Sequence, residues 1–165
     1  MGTDCRAAAF ERDRAGWWIV ALNLLAAANS TLYFTTQLRA GLAGWLAMNS
    51  CAPSIFVFSL GYVLRQRPLM AAGAGLMFRY GTLGLFVFGW DGMNLIPQVG
   101  HILMTVAVIH FIARMGRAGG AADIIAAGLV ALALLYSEWQ WNWLGARPDI
   151  LRGLMDGNLA PEMFR

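Results

Sequence analysis

The sequence predicts an all-α integral membrane protein, a polytopic bundle of five transmembrane helices. Of the 165 residues, 59% are hydrophobic and only 13% are charged, whereas soluble domains carry roughly 25% charged residues. The hydrophobic residues also form long runs, and a helix needs about 20 consecutive apolar residues to cross a bilayer. A chain of this length and composition predicts one bundle without a separate soluble domain.

The five predicted helices follow one another through short connections, which make successive helices antiparallel. The first run follows Arg12 and Arg14, a pattern also found in secretory signals, but we interpret it as a retained helix. The runs are residues 16–37, 41–64, 69–90, 95–115 and 121–144. They lie between an N-terminal segment, residues 1–15, and a C-terminal tail, residues 145–165.

The arginines predict the orientation of the bundle. Seven arginines lie on the side of the N-terminus and four on the other side, and positive residues favour the cytoplasmic side of a membrane. We therefore expect an inner (plasma) membrane protein with its N-terminus in the cytoplasm and its C-terminus outside. Trp45, Trp90 and Trp139 fall near the predicted outer interface, where indole rings prefer to lie.

Composition and spacing exclude several classes of protein. The net charge of +3 comes from arginines scattered at helix ends, which does not predict binding to nucleic acid. The absence of lysine excludes a Schiff-base mechanism. His101 and His110 are predicted on opposite faces of one helix, unlike the paired ligands of a haem. Cys5 and Cys51 are predicted at different depths, so we expect no disulfide. We predict no metal and no cofactor.

Arg79 is the most informative residue, because it lies in the middle of the third apolar run. A guanidinium at the centre of a membrane helix costs about 2.5–3.5 kcal/mol on insertion scales, so it rarely faces lipid. We therefore expect a partner within the protein. Glu138, in the fifth run, is the predicted partner, because an arginine side chain can extend toward its depth.

Uncharged polar residues are predicted to share a layer with Arg79 and Glu138. Gln98 and His101 are three positions apart on one helix face, and Pro53 frees a backbone carbonyl near Asn49. Each residue could instead simply join two helices, since polar side chains in membrane helices often do so at about 0.6 kcal/mol each. The predicted binding residues are Arg79, Glu138, His101, Gln98, Asn49, Asn29, Tyr33 and Asn142.

Three functional hypotheses follow from this pattern. The leading one is a protein that binds and translocates a small polar or anionic solute through a polar cavity around Arg79 and Glu138. The second is a non-catalytic subunit or anchor, which would contact a membrane-protein partner or another copy of itself. The third is an enzyme that uses Glu138 or His101 as an acid or base on a lipid or quinone. No catalytic motif appears, so we assign no enzymatic activity.

The C-terminal tail contains one short pattern. Leu151, Leu154 and Met155 are spaced i, i+3, i+4, which predicts a short amphipathic helix on the outer surface. This helix would cover the cavity or dock a partner. The alternative is a frayed tail.

Overall fold

The computed structural model describes residues 12–115 and 121–164, and every regular element in these two stretches is helical. The prediction of an all-α chain is confirmed. In chain order the elements are α1 (Arg14–Leu32), a π-helical turn (Tyr33–Gln37), α2 (Leu42–Met48), α3 (Cys51–Leu64), α4 (Arg67–Val87), a 3₁₀ turn (Gly92–Asn94), α5 (Leu95–Met115), α6 (Ala121–Gly145), α7 (Pro148–Met155) and a second 3₁₀ turn (Pro161–Phe164). The predicted connection at residues 116–120 lies outside the described residues.

The number of candidate membrane crossings is smaller than predicted. Three helices in the described stretches are long and apolar enough to cross a bilayer, over Arg14–Gln37, Arg67–Phe86 and Leu95–Ala113. A fourth is reached only if α2 and α3 together count as one broken span. The predicted count of five is therefore not reached. α6 coincides with the fifth predicted run, but its C-terminal half is rich in polar side chains.

The prediction of one continuous helix over residues 41–64 is wrong. The chain leaves the helical conformation at Asn49, with φ −112° and ψ 44°, and α3 continues at 83° to α2. Pro53 has no N–H with which to bond the Asn49 carbonyl. That carbonyl instead accepts the N–H of Ala52 at 3.0 Å, which makes a tighter turn. We call residues 48–50 the helix break.

The main core lies between α1, α3, α4 and α5, and glycines bring α3 and α4 together. A Cβ on Gly73 would lie 2.5 Å from the backbone nitrogen of Phe58, so only glycine fits there. This close approach buries Phe58, whose ring meets that of Phe111 edge to face at 4.7 Å. The largest fully buried side chains of this core are Tyr62, Phe58, Phe111, Met70, Met77 and Met104.

The C-terminal segment folds back onto the bundle. Ile150 of α7 is buried in a second apolar cluster with Phe34, Leu38 and Met48, which lie near the end of α1 and in α2. The predicted amphipathic helix is present, and it is packed rather than frayed. Its buried centre is Ile150, whereas Met155 of the predicted stripe is largely exposed. The segment therefore covers the end of the bundle at which α2 lies.

The opposite end of the bundle is joined by Asp13 and His110. Asp13 caps α1 by accepting the N–H of Gly16 at 2.8 Å. The same carboxylate oxygen lies 3.5 Å from Nε2 of His110 in α5. His110 therefore helps to join α5 to the start of α1.

Candidate functional site

A half-open groove runs between α4 and α6 and encloses a cavity of about 380 Å³. We call it the α4–α6 groove. Its walls are almost wholly apolar, with one cationic and one hydroxyl side chain. The lining residues are Val130, Ala133 and Leu134 of α6 and Ala72, Gly75, Leu76, Phe78, Arg79, Thr82 and Leu83 of α4.

The α4 wall of the groove follows from helical periodicity. Ala72, Gly75, Arg79 and Thr82 repeat at three- and four-residue steps, so they share one face of the helix. Gly75 leaves open space, since a Cβ there would meet no atom within 4 Å. Gly75, one turn before Arg79, and Ala133 on the facing helix are small residues that leave room for the groove.

Arg79 brings an unsatisfied donor to this groove. Its side chain is half-buried, and its Nε has no hydrogen-bond partner in the described protein. The Thr82 hydroxyl, one turn further along α4, is likewise buried without a partner. An unmade buried hydrogen bond costs roughly 1–3 kcal/mol, and more for a charged group. The groove can therefore bind a molecule that offers an anionic or strongly accepting oxygen.

Arg79 and Glu138 are not brought together. Within the described residues, no ion pair joins them. The buried face of α6 carries Ser137 and Gln140, and Glu138 points about 160° away from Gln140 around the helix. Glu138 is exposed and is not among the residues that line the groove, so the predicted counter-charge does not lie in it.

Gln98 and His101 share a face of α5, as predicted from their spacing, but they contact the C-terminal end of α4. Gln98 Oε1 lies 3.1 Å from His101 Nδ1, and Gln98 Nε2 donates to the Phe88 carbonyl at 2.9 Å. That carbonyl follows the last turn of α4, where backbone acceptors lack helical partners. The His101 ring stacks on Phe88 and packs against Gly84.

His101 and Gln98 therefore do not complete a site around Arg79. Gly84, against which His101 packs, points about 140° away from Arg79 around α4. The helix itself separates the two groups. Their contacts stabilise the connection between α4 and α5. Sequence spacing alone does not distinguish this structural role from ligand binding.

Asn29, Tyr33 and Asn142 lie on exposed surfaces. The buried face of α1 instead carries Val20, Asn23 and Ala27. Asn29 points about 160° away from Ala27, which places it and Tyr33 on the outer face. The four-residue spacing correctly put Asn29 and Tyr33 on one side of the helix, but that side faces away from the bundle.

Asn49 belongs to a second polar group, at the helix break. Its Oδ1 accepts the Ser30 hydroxyl of α1 at 2.7 Å. From α6, the Tyr136 hydroxyl donates to the Leu46 carbonyl, and Gln140 Nε2 donates to the Ala47 carbonyl at 2.6 Å. These carbonyls belong to the last turn of α2, which has no continuing helix to pair with them.

Sequence reasoning missed Tyr136 and Gln140 as partners of the helix break. Their four-residue spacing, next to the position of Ser137, was the available signal that polar side chains share a buried face of α6. We predicted Glu138 as the functional residue of this helix because it is charged.

The described residues bring together no group of three or more His, Cys, Asp or Glu side chains that could hold a metal ion. Comparison with protein families, with curated proteins and with solved structures gives no match for this chain.

Proposed function

We propose that this chain is an integral membrane protein that binds an anionic amphiphile in the α4–α6 groove. A single observation carries the proposal: a half-buried guanidinium with an unpartnered Nε lies in a groove whose walls are otherwise apolar. An apolar pocket with few placed polar groups is the usual composition of a small-molecule site, and the volume falls in the usual range.

The proposed membrane arrangement has five crossing segments. They are α1 with its π-helical turn, the bent pair α2–α3, α4, α5 and α6. The arginine distribution supports a cytoplasmic N-terminus and an outer C-terminus in the inner membrane. In this arrangement the C-terminal segment, anchored by Ile150, covers the outer end of the bundle.

The ligand chemistry follows from the two kinds of wall. Acyl chains are held by apolar surface, here supplied by Leu76, Leu83 and Leu134. A carboxylate or phosphate is held by Arg79, because a guanidinium forms charge-assisted hydrogen bonds to either group. Thr82 supplies a further hydroxyl donor. A ligand with both parts is an amphiphile of the bilayer, such as a fatty acid or a phospholipid.

The experiment compares binding of two fluorescent probes to protein in mild detergent. One probe is a fatty acid, and the other is a phosphatidic acid, so the two anionic groups are distinguished. Arg79→Gln should weaken binding by about 10- to 100-fold, the value of a charge-assisted hydrogen bond. Gly75→Leu, which fills the groove but keeps the charge, should also weaken it.

The matched control is Arg147→Gln. Arg147 is exposed and stacks on Trp143 with its guanidinium carbon 4.1 Å from the ring centroid, outside the groove. Its replacement should leave probe affinity unchanged. Equal affinity in Arg79→Gln and Arg147→Gln, with both proteins monodisperse in gel filtration, would reject the proposed site.

Translocation of the ligand stays a prediction. The predicted pathway pairs Arg79 with Glu138, and the exposed position of Glu138 removes that support. Uptake of the fatty-acid probe into proteoliposomes measures translocation directly. Uptake that is lost in Arg79→Gln but kept in Arg147→Gln would support it.

A second candidate function, that of a membrane-protein subunit, is favoured by Glu138 itself. This carboxylate is exposed on α6 beside Leu134, Leu135 and Trp141, which are also exposed. A charged side chain on an apolar membrane-facing surface is costly, and contact with a partner or a second copy would cover it. Native mass spectrometry from mild detergent tests this: Glu138→Gln should change the stoichiometry of the extracted particle.

A further inference from the structure

The helix break brings buried and half-buried polar side chains from four helices to one place. Ser30 of α1, Asn49 and Ser50 of the break, Tyr80 of α4 and Gln140 of α6 all take part. The α4–α6 groove and its Arg79 do not account for this group. None of its members lines the proposed amphiphile site.

Several polar atoms in this group have no hydrogen-bond partner within the described protein. They are Nδ2 of Asn49, Oγ of Ser137 and Oε1 of Gln140. The exposed fractions of these residues are 3%, 2% and 7%, so bulk solvent does not reach them. The Tyr80 hydroxyl is also buried and unpartnered, although it lies beside the hydroxyls of Ser137 and Ser50.

The amide side chains of Gln140 and Asn49 are held in place by hydrogen bonds from their other atoms. Gln140 Nε2 donates to the Ala47 carbonyl at 2.6 Å and also to the Ser50 hydroxyl. Turning the amide over would bring two oxygens together, so Oε1 must keep its position. Asn49 is fixed in turn by the Ser30 hydroxyl. The unpartnered amide atoms of Asn49 and Gln140 therefore cannot be satisfied by a simple rotation of either amide.

We propose that the helix break is a hydrated site, which binds water between α3, α4 and α6. Its free groups include an amide donor, an amide acceptor and two hydroxyls, and water is both a donor and an acceptor. Buried waters in proteins typically make about three hydrogen bonds to such groups. Non-helical backbone at membrane depth is likewise found where it lines a wet cavity.

The charges nearby favour a neutral ligand over a cation. None of the described groups at the break is a carboxylate, and Asn49 presents an amide N–H. Tyr80 is the immediate neighbour of Arg79, whose positive charge acts on the same hydroxyl. A sodium ion would therefore meet repulsion without a compensating negative side chain.

Hydroxyl-radical labelling by X-ray radiolysis, with the protein in nanodiscs, tests the proposal. Radicals formed from bound water attack the side chains next to it, so Tyr80 should be oxidised. Tyr62 and Met77, fully buried in the main core, are the matched controls and should remain unlabelled. Labelling of Tyr80 no faster than that of Tyr62 and Met77 would overturn the proposal.

Stability measurements give a second, independent readout. Ser137→Ala should lower the unfolding midpoint, because it removes a hydroxyl that water satisfies. In a dry site the same change would raise the midpoint, since it would remove an orphaned polar atom. Such a rise would overturn the proposal.

Two comparisons separate the remaining explanations. Replacing NaCl by choline chloride should leave the unfolding midpoint unchanged, and a sodium-specific stabilisation would overturn the assignment of a neutral ligand. Arg79→Gln should keep the labelling of Tyr80. Loss of probe binding at the groove and loss of labelling at the break are thus distinguishable results.

Discussion

The Gln140 side chain donates from Nε2 to the backbone carbonyl of Ala47, 2.6 Å away, and so joins α6 to the last turn of α2. The two residues are 93 positions apart in the chain. A broken helix leaves carbonyls without helical partners, and here a second helix supplies the missing donors. The break is therefore stabilised by tertiary contacts and is not a product of local sequence alone.

Gln140→Leu should destabilise the protein by about 1–3 kcal/mol, because it leaves the Ala47 carbonyl buried without its donor. The measurement is the free energy of unfolding in mixed detergent micelles. Asn142→Leu, two residues along on the exposed face, is the control and should change stability by no more than about 0.5 kcal/mol. Equal effects of the two substitutions would contradict the structural role of Gln140.

Gly73→Ala should destabilise the bundle by at least about 1–3 kcal/mol, the usual effect of overpacking. The added Cβ would meet the backbone of Phe58, which cannot move as a side chain can. Gly75→Ala, two positions further along α4, is the control, because its Cβ would meet open space. Thermal unfolding of the two variants in the same detergent compares them. A stable Gly73→Ala protein would show that α3 and α4 pack less closely.

Gln98→Met should release the C-terminal end of α4 while leaving the fold intact. It removes the donor to the Phe88 carbonyl and the partner of His101. Hydrogen exchange should become faster at the amides near Phe88, and binding of the fatty-acid probe should be unchanged. Loss of probe binding in Gln98→Met would instead return Gln98 and His101 to the ligand site.

Ile150→Ala should detach the C-terminal segment from the bundle, since large-to-small changes at buried sites cost roughly 2–5 kcal/mol. Trypsin should then cleave faster after Arg152, which lies in α7. Met155→Ala is the control. Met155 is largely exposed, so its replacement should leave the rate of cleavage unchanged. Unchanged cleavage of Ile150→Ala would argue that α7 is held by other contacts.

The helical class was predictable because it depends on composition and run length, which the sequence displays directly. The bend at Asn49 was only half predictable. Pro53 indicates a weakened hydrogen bond, but the 83° turn depends on donors from Tyr136 and Gln140, far along the chain. Sequence spacing gives a residue's neighbours on its own helix and not the helix that it faces.

The same limit explains the failure of the Arg79–Glu138 pairing. Depth along a helix follows from residue number, and on that basis the two charges were expected to meet. The angle around α6 is set by tertiary packing, in which Ser137 and Gln140 face inward and Glu138 faces outward. Arg79 lines the groove, and its position in the middle of an apolar run is visible without any knowledge of packing.

One stretch of α6 serves both polar regions. Ala133 and Leu134 form the wall opposite Arg79, and Tyr136 and Gln140, within two turns, hold the carbonyls of α2. Because α6 is one continuous helix, a movement of its groove-lining part also moves Tyr136 and Gln140. A molecule that pushes α4 and α6 apart would therefore also displace the donors of the Leu46 and Ala47 carbonyls.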